Sequence, residues 1–213
     1  MWWKIGIFLL MAAMIVASFV TAAPQAQIGQ ASRIFYYHIP QAWVSVLAFA
    51  ASMIYSILYL RRRRIDYDDK AAEAARLGLV FTVLATVSGS IFAKVTWGSF
   101  WNWDPRETSI FLLLLIYAAY FALRGAVDGE TKRATLSAVY AIFAFFTVPF
   151  LVFVMPRVMP SLHPSDSVQT AGTYVRVILY ASLIAFTGLF VWLFKLGCRL
   201  RAVRRIMLVK EDT

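Results

Sequence analysis

W-G-S-F-W-N-W-D-P-R-E, residues Trp97 to Glu107, lies between two long apolar runs, and the rest of the chain is read outward from it. Its second half is a helix start. Asp104 is a favoured N-cap, Pro105 suits the first helical position, and Glu107 stands where a capping-box acid reaches back to the cap. Trp97, Trp101 and Trp103 therefore fall on the non-helical side of that boundary, and Gly98 permits a tight turn or a close backbone approach among them. Indole rings of an aromatic belt are scattered at span ends, as Trp2, Trp3, Trp43 and Trp192 are here. Three gathered in one loop and tied to a capped helix instead make a flat apolar platform, suited to a large planar ligand.

The runs flanking this loop belong in a bilayer. Of 213 residues, 61% are hydrophobic and only 15% charged, and the mean hydropathy is +0.70; an ordinary soluble domain is far more polar. A span needs about 20 apolar residues to cross about 30 Å of hydrocarbon. The pattern predicts an all-α polytopic membrane protein with six transmembrane helices, over Ile5–Ala23, Ala42–Leu60, Leu77–Lys94, Pro105–Leu123, Ala134–Met155 and Thr173–Phe194. The loops are short, so residues 1–213 form a single membrane domain. The apolar run after Lys4 is longer than the roughly 7 to 15 residues of a signal-peptide core, so it reads as a retained span.

The formal charge of +10 would point to nucleic acid in a soluble protein, but its distribution points to membrane topology instead. Sixteen of the 21 basic residues, including Lys4, Arg61 to Arg64 and the run from Lys195 to Lys210, fall on one side of the predicted spans. Only Arg33, Lys94, Arg106, Arg157 and Arg176 fall on the other. The positive-inside rule then places both termini in the cytoplasm and the Trp-rich loop outside. The four-arginine block reads as a topology anchor resting on anionic lipid. The acids after it, Asp66, Asp68 and Asp69, read as part of a solvated helical face, with docking of a cytoplasmic partner as the less favoured alternative. Cys198, the only cysteine, excludes an intrachain disulfide and reads as an inert apolar side chain.

Two histidines complete the outer side. Pro40 biases Ile39 towards an extended conformation, so the second span is expected to start at or after it, leaving His38 in a loop at the interface with Arg33, Tyr36 and Tyr37. Pro149 predicts a kink in the fifth span. Beyond it, Pro156, Pro160 and Pro164 are expected to forbid a continuous helix and to present His163 on a stiff extended loop. Small residues of the third span, among them Gly78, Ser88 and Gly89, allow close helix packing. A lone histidine is usually a hydrogen-bonded interfacial residue. Here both histidines share one side with the tryptophan platform, and imidazole is a common axial ligand of haem iron. Arginine suits a carboxylate bidentately, which makes Arg33 and Arg106 the first candidates for the two haem carboxylates.

W-G-S-F-W-N-W-D matches the W-G-x-x-W-x-W-D signature of haem-handling proteins of cytochrome c maturation. S-R-I-F-Y-Y-H-I-P-Q-A-W and S-L-H-P resemble the two histidine segments of that family. Size and span number resemble the CcmC type over almost the whole chain. The continuation D-P-R-E-T departs from it and looks more like the CcsA-type synthetases. The resemblance implies haem b held between His38 and His163, with Trp97, Gly98, Trp101, Trp103 and Asp104 forming the platform for the porphyrin edge. It also implies a site on the outer face of the bacterial cytoplasmic membrane. From there haem would be presented to the haem chaperone CcmE, together with the ABC transporter subunits CcmA and CcmB and the small membrane protein CcmD. The chain has no phosphate-binding loop of its own, and no Ser, His and acid cluster suggests hydrolysis. A synthetase component, an electron-transfer cytochrome b and a transporter subunit are the alternatives. Transfer of haem to an acceptor, against its retention, separates haem delivery from the electron-transfer cytochrome b.

Overall fold

The structure, a computed structural model, describes residues 2–21, 29–163 and 171–211. Among these the regular structure is helical throughout, and six helices are long and apolar enough to cross a membrane. They are α1 (Trp2–Val20), α2 (Phe35–Arg62), α3 (Ile65–Trp97), α4 (Pro105–Ala126), α5 (Glu130–Pro149) and α7 (Thr173–Glu211). Between the last two, a π-helical segment over Phe150–Val154 and the short α6 (Met155–Val158) prolong α5. The chain is a multi-pass membrane protein.

Helices α2 and α3 form the centre, with α1 and α7 packed on one side and α4 and α5 on the other. Two clusters of buried side chains follow from this arrangement. Met14, Tyr36, Val44, Phe81, Leu179 and Phe186 join α1, α2, α3 and α7. Phe49, Leu113, Tyr117, Tyr120, Ala141 and Val148 join α2, α4 and α5. Outward-facing apolar residues such as Phe143, Phe146 and Ile184 are more than 60% exposed, as a helix surface solvated by lipid should be.

Three expectations are corrected. The second span does not wait for Pro40. A 3₁₀ turn over Gly29–Ile34 runs straight into α2, and Pro40 is buried in its second turn. As the sixth residue of the helix this proline removes the N–H that would reach the Tyr36 carbonyl, and the burial of Tyr36 and Pro40 outweighs that loss. His38 thus stands on a helix, not in a loop. Likewise Pro156 sits in the first turn of α6, where a proline is tolerated. After Pro149 the helix continues as the π segment, closed by a bond from Met155 N–H back to the Phe150 carbonyl. Pro164 lies outside the described residues.

The third correction concerns the charged run after Arg64, which is not a solvated face. It forms the first turns of α3, and Asp68 and Glu73 are buried there. Arg124 of α4 grips Asp68 with two bonds of 2.7 and 2.8 Å. Glu73 accepts from Arg76 and, at 3.0 Å, from Arg201 of α7. Arg205 bridges Asp69 at 2.9 Å and Glu130 at 2.8 Å. These acids hold four helices together at the end of the bundle opposite the Trp-rich loop.

Candidate functional site

The loop from Gly98 to Asp104 is fixed at both ends by helix chemistry. Helix α3 stops at Gly98, which takes the left-handed conformation with φ 82° and donates to the Lys94 carbonyl at 3.1 Å. A side chain at that φ is strained, so the glycine is needed for the turn itself. At the other end Asp104 caps α4: its Oδ1 accepts from Arg106 N–H at 2.9 Å, and Glu107 Oε2 reaches back to Asp104 N–H at 3.3 Å. The same Glu107 oxygen accepts from Asn102 N–H at 2.7 Å, which draws the loop over the helix start.

Within this frame the three indoles differ. Trp97 ends α3 and meets the His163 ring edge-on at 4.7 Å between centroids. Trp101 is half-buried between Trp103 and Phe111. Trp103 adopts a left-handed φ of 57°, rare for a bulky residue, and its ring is 70% exposed. Phe100 is exposed beside it. The loop therefore offers an apolar surface reaching from Trp97 to Trp103.

Asp104 does more than cap. Its Oδ2 accepts from Ser161 Oγ at 2.9 Å and from Leu162 N–H at 2.7 Å, and its Oδ1 lies 3.0 Å from His163 Nδ1. Burial alone would raise this carboxyl; the donors from Arg106, Leu162, Ser161 and His163 outweigh it and hold the group below the usual carboxylate range. A carboxylate only accepts, so Nδ1 of His163 carries the proton and Nε2 keeps its lone pair. Burial also lowers the His163 pKa below its ordinary value, against the pull of Asp104, so the ring is neutral at pH 7.

His38 is oriented in the same manner from the other side. Its Nδ1 lies 3.0 Å from the Ala85 carbonyl and 3.1 Å from Ser88 Oγ, both on α3. The carbonyl fixes the proton on Nδ1 and again leaves Nε2 bare. The ring fits against Gly89: a Cβ there would stand 2.8 Å from His38 Cε1. His38 lies within electrostatic range of Arg106, and of His163 when that ring is protonated. Both imidazoles thus present an unprotonated Nε2 at one end of the bundle, a donor set suited to haem iron.

Of the two arginines singled out, Arg106 is exposed at the first turn of α4, where Arg157 acts on it electrostatically. Its guanidinium forms no ion pair among the described residues. Arg33 is buried and turned towards α1, donating to the Ser18 carbonyl and to Gln30. It lines a cavity of about 300 Å³ with Phe19, Tyr37, Phe92 and Val95, on the α1 side of the α3 terminus. The sequence does not reveal the orienting roles of Ala85, Ser88 and Gly89 under His38 or of Ser161 beside His163; Ser88 and Gly89 stand out in it only as small packing residues.

The sequence has relatives. The sequence profile of the heme exporter protein C (CcmC) family matches residues 1–213. The chain belongs to the heme exporter protein C family. Heme exporter protein C of Bradyrhizobium diazoefficiens is 32% identical over 183 residues, covering 84% of this chain and 70% of that protein. Its namesake in Paracoccus denitrificans is 29% identical over 182 residues, covering 83% and 76%. That of Escherichia coli K12 is 30% identical over 125 residues, covering 59% and 51%.

Proposed function

We propose that this member of the heme exporter protein C family binds haem b at the Trp-loop end of its bundle and presents it for cytochrome c maturation. One observation carries the reading: two imidazoles are each held through Nδ1 by an oxygen acceptor with Nε2 left bare, and one of them, His163, stands edge-on to Trp97 of the aromatic stretch. His38 and His163 are the axial ligands. Trp97, Trp101 and Trp103 cover the porphyrin's apolar edge, and Gly98 and Asp104 set the loop that carries them. Arg106 is the first partner for a propionate. Arg33 is second, because its guanidinium is already engaged by α1.

The chemistry would reside in haem itself, which His38 and His163 would hold through their imidazole nitrogens until an acceptor takes it. The protein's part is positioning. Asp104 keeps the His163 proton on Nδ1, Ala85 does the same for His38, and the exposed Trp103 leaves one side of the site open to a partner. In our reading the acceptor is the haem chaperone CcmE, and the assembly includes the ABC transporter subunits CcmA and CcmB with the small protein CcmD. The excess of basic residues at the opposite end supports an orientation with both termini in the cytoplasm of a bacterial inner membrane. The Trp-rich loop then faces the periplasm.

The experiment is an absorption spectrum of detergent-purified protein, oxidised and reduced, beside His38→Ala and His163→Ala. A low-spin spectrum altered by each substitution is expected. Haem bound with an unchanged spectrum in both variants would sink the assignment.

A further inference from the structure

We propose that the last turns of α7 form a docking face for a soluble protein whose contact surface is apolar at its centre and acidic at its edge. The inference uses the end of the bundle remote from the Trp-rich loop and does not depend on haem. Leu196, Leu200, Val203 and Met207 follow one another at spacings of four, three and four, which at about 100° per residue places them in one stripe. They are 45 to 62% exposed. Arg199 and Arg204 fall on the two sides of this stripe, both exposed, and among the described residues neither has an ion-pair partner. Arg201 and Arg205 point the opposite way, into α3, where Glu73 and Asp69 neutralise them.

An apolar helix stripe in a membrane protein ordinarily faces lipid, and its height here decides against that. The Glu73–Arg201 and Asp69–Arg205 pairs fix this part of α7 level with the charged first turns of α3, which carry Asp66, Asp68, Asp69, Lys70 and Glu73. That layer cannot lie in hydrocarbon. The interface itself is marked about two and a half to three and a half turns earlier, where Trp3 meets Trp192 at 6.4 Å and Lys4 and Lys195 sit over the two indoles. From Trp192 to Leu200 a helix rises about 12 Å, and to Met207 about 22 Å, beyond the headgroup level. The two ion pairs also keep the segment from folding down onto the membrane surface.

Charge selects the occupant. A second copy of the chain would set Arg199 and Arg204 against their own kind across the stripe, which opposes self-association. An apolar surface rimmed with carboxylates satisfies both features, as in helix-in-groove recognition.

The test places a photoreactive benzoyl-phenylalanine at Leu200, or at the lipid-facing Ile184 as control, in the full chain within its native host's membranes. The proposal expects a protein adduct of one defined mass at Leu200, with only lipid adducts at Ile184. The adduct should fall several-fold with Arg199→Glu/Arg204→Glu, while the haem spectrum and the size-exclusion profile of that variant stay unchanged. If charge reversal lowers the yield of folded protein, Arg199→Gln/Arg204→Gln serves in its place. Lipid adducts at Leu200, a self-adduct of twice the chain's mass, or a protein adduct indifferent to both charge variants would each overturn the proposal.

Discussion

Asp104 Oδ1 lies 3.0 Å from His163 Nδ1, so the residue that starts α4 also sets the tautomer of a histidine 59 positions away. The same carboxylate receives the Leu162 N–H and the Ser161 hydroxyl. The Trp-rich loop and the second histidine segment are therefore one unit, joined through this buried carboxylate and the Trp97–His163 ring contact.

This unit can be divided by substitution. Asparagine is as good an N-cap as aspartate, so Asp104→Asn retains the start of α4 while removing the carboxylate that orients His163. Groups that orient a metal-ligating histidine typically contribute 10- to 100-fold in affinity. A haem titration should therefore show weakening of roughly 10- to 100-fold in Asp104→Asn with little change in thermal stability, while Asp104→Ala should lose in addition about 1 kcal/mol from the cap. Equal haem affinity in Asp104→Asn and the parent would mean that the carboxylate does not orient the ligand.

Gly89→Ala tests the other histidine without touching it. The new Cβ would stand 2.8 Å from His38 Cε1, closer than real Cβ contacts come, and the ring has to leave its place beneath the Ala85 carbonyl. The expected spectrum is that of His38→Ala. Combining the two substitutions should add nothing further, because residues that share one contact are not additive. A native spectrum in Gly89→Ala would show that α3 or His38 yields to the methyl group at no expense to ligation.

Acid should destabilise the haem-free protein in two stages. Burial holds the His163 pKa below its ordinary value, so below about pH 6.5 the unfolded chain takes up a proton before the folded one does. Stability is then lost as pH falls from about 6.5 through the folded value. Asp104, held below the usual carboxylate range, contributes stability that is complete above about pH 4 and is lost as pH falls through its own folded pKa. Thermal melts between pH 8 and pH 4 in detergent should show the earlier loss, and His163→Ala should remove it. Identical pH profiles for the two proteins would contradict the buried neutral imidazole.

What was legible in the sequence is what is local. The Asp104-Pro105-x-Glu107 pattern announces a helix start because all its partners lie within one turn, and the capping box is present. Six apolar runs likewise announce six spans, since each must satisfy its own backbone in lipid. The place of His38 was not legible: Pro40 argues against a helix, and only the 3₁₀ turn before it and the burial of Tyr36 and Pro40 overrule that preference. Nor could the second duty of Asp104 be read, because Ser161 to His163 lie 57 to 59 positions away. Gly89 did carry a signal, as one of several small residues in α3. Its use as the seat of an imidazole depends on the register between α2 and α3, which spacing alone does not reveal.

The same distance effect hid the charged layer at the other end, and there it gives the largest expected change in stability. Asp68 and Arg124 are joined by two bonds with side-chain exposures of 5% and 13%. Removing one partner of such a buried pair leaves the other charge desolvated, which costs about 3 to 5 kcal/mol, whereas replacing both with apolar side chains of similar volume is often neutral. Asp68→Asn should accordingly lower the thermal midpoint of the purified protein far more than Asp68→Leu/Arg124→Leu does. Haem titration provides the second readout, because this layer lies at the opposite end of the bundle from His38 and His163. In whatever fraction of Asp68→Asn stays folded, haem should bind with parental affinity. A single-site variant as stable as the double one would show that water reaches Arg124 and that the pair is not a buried staple.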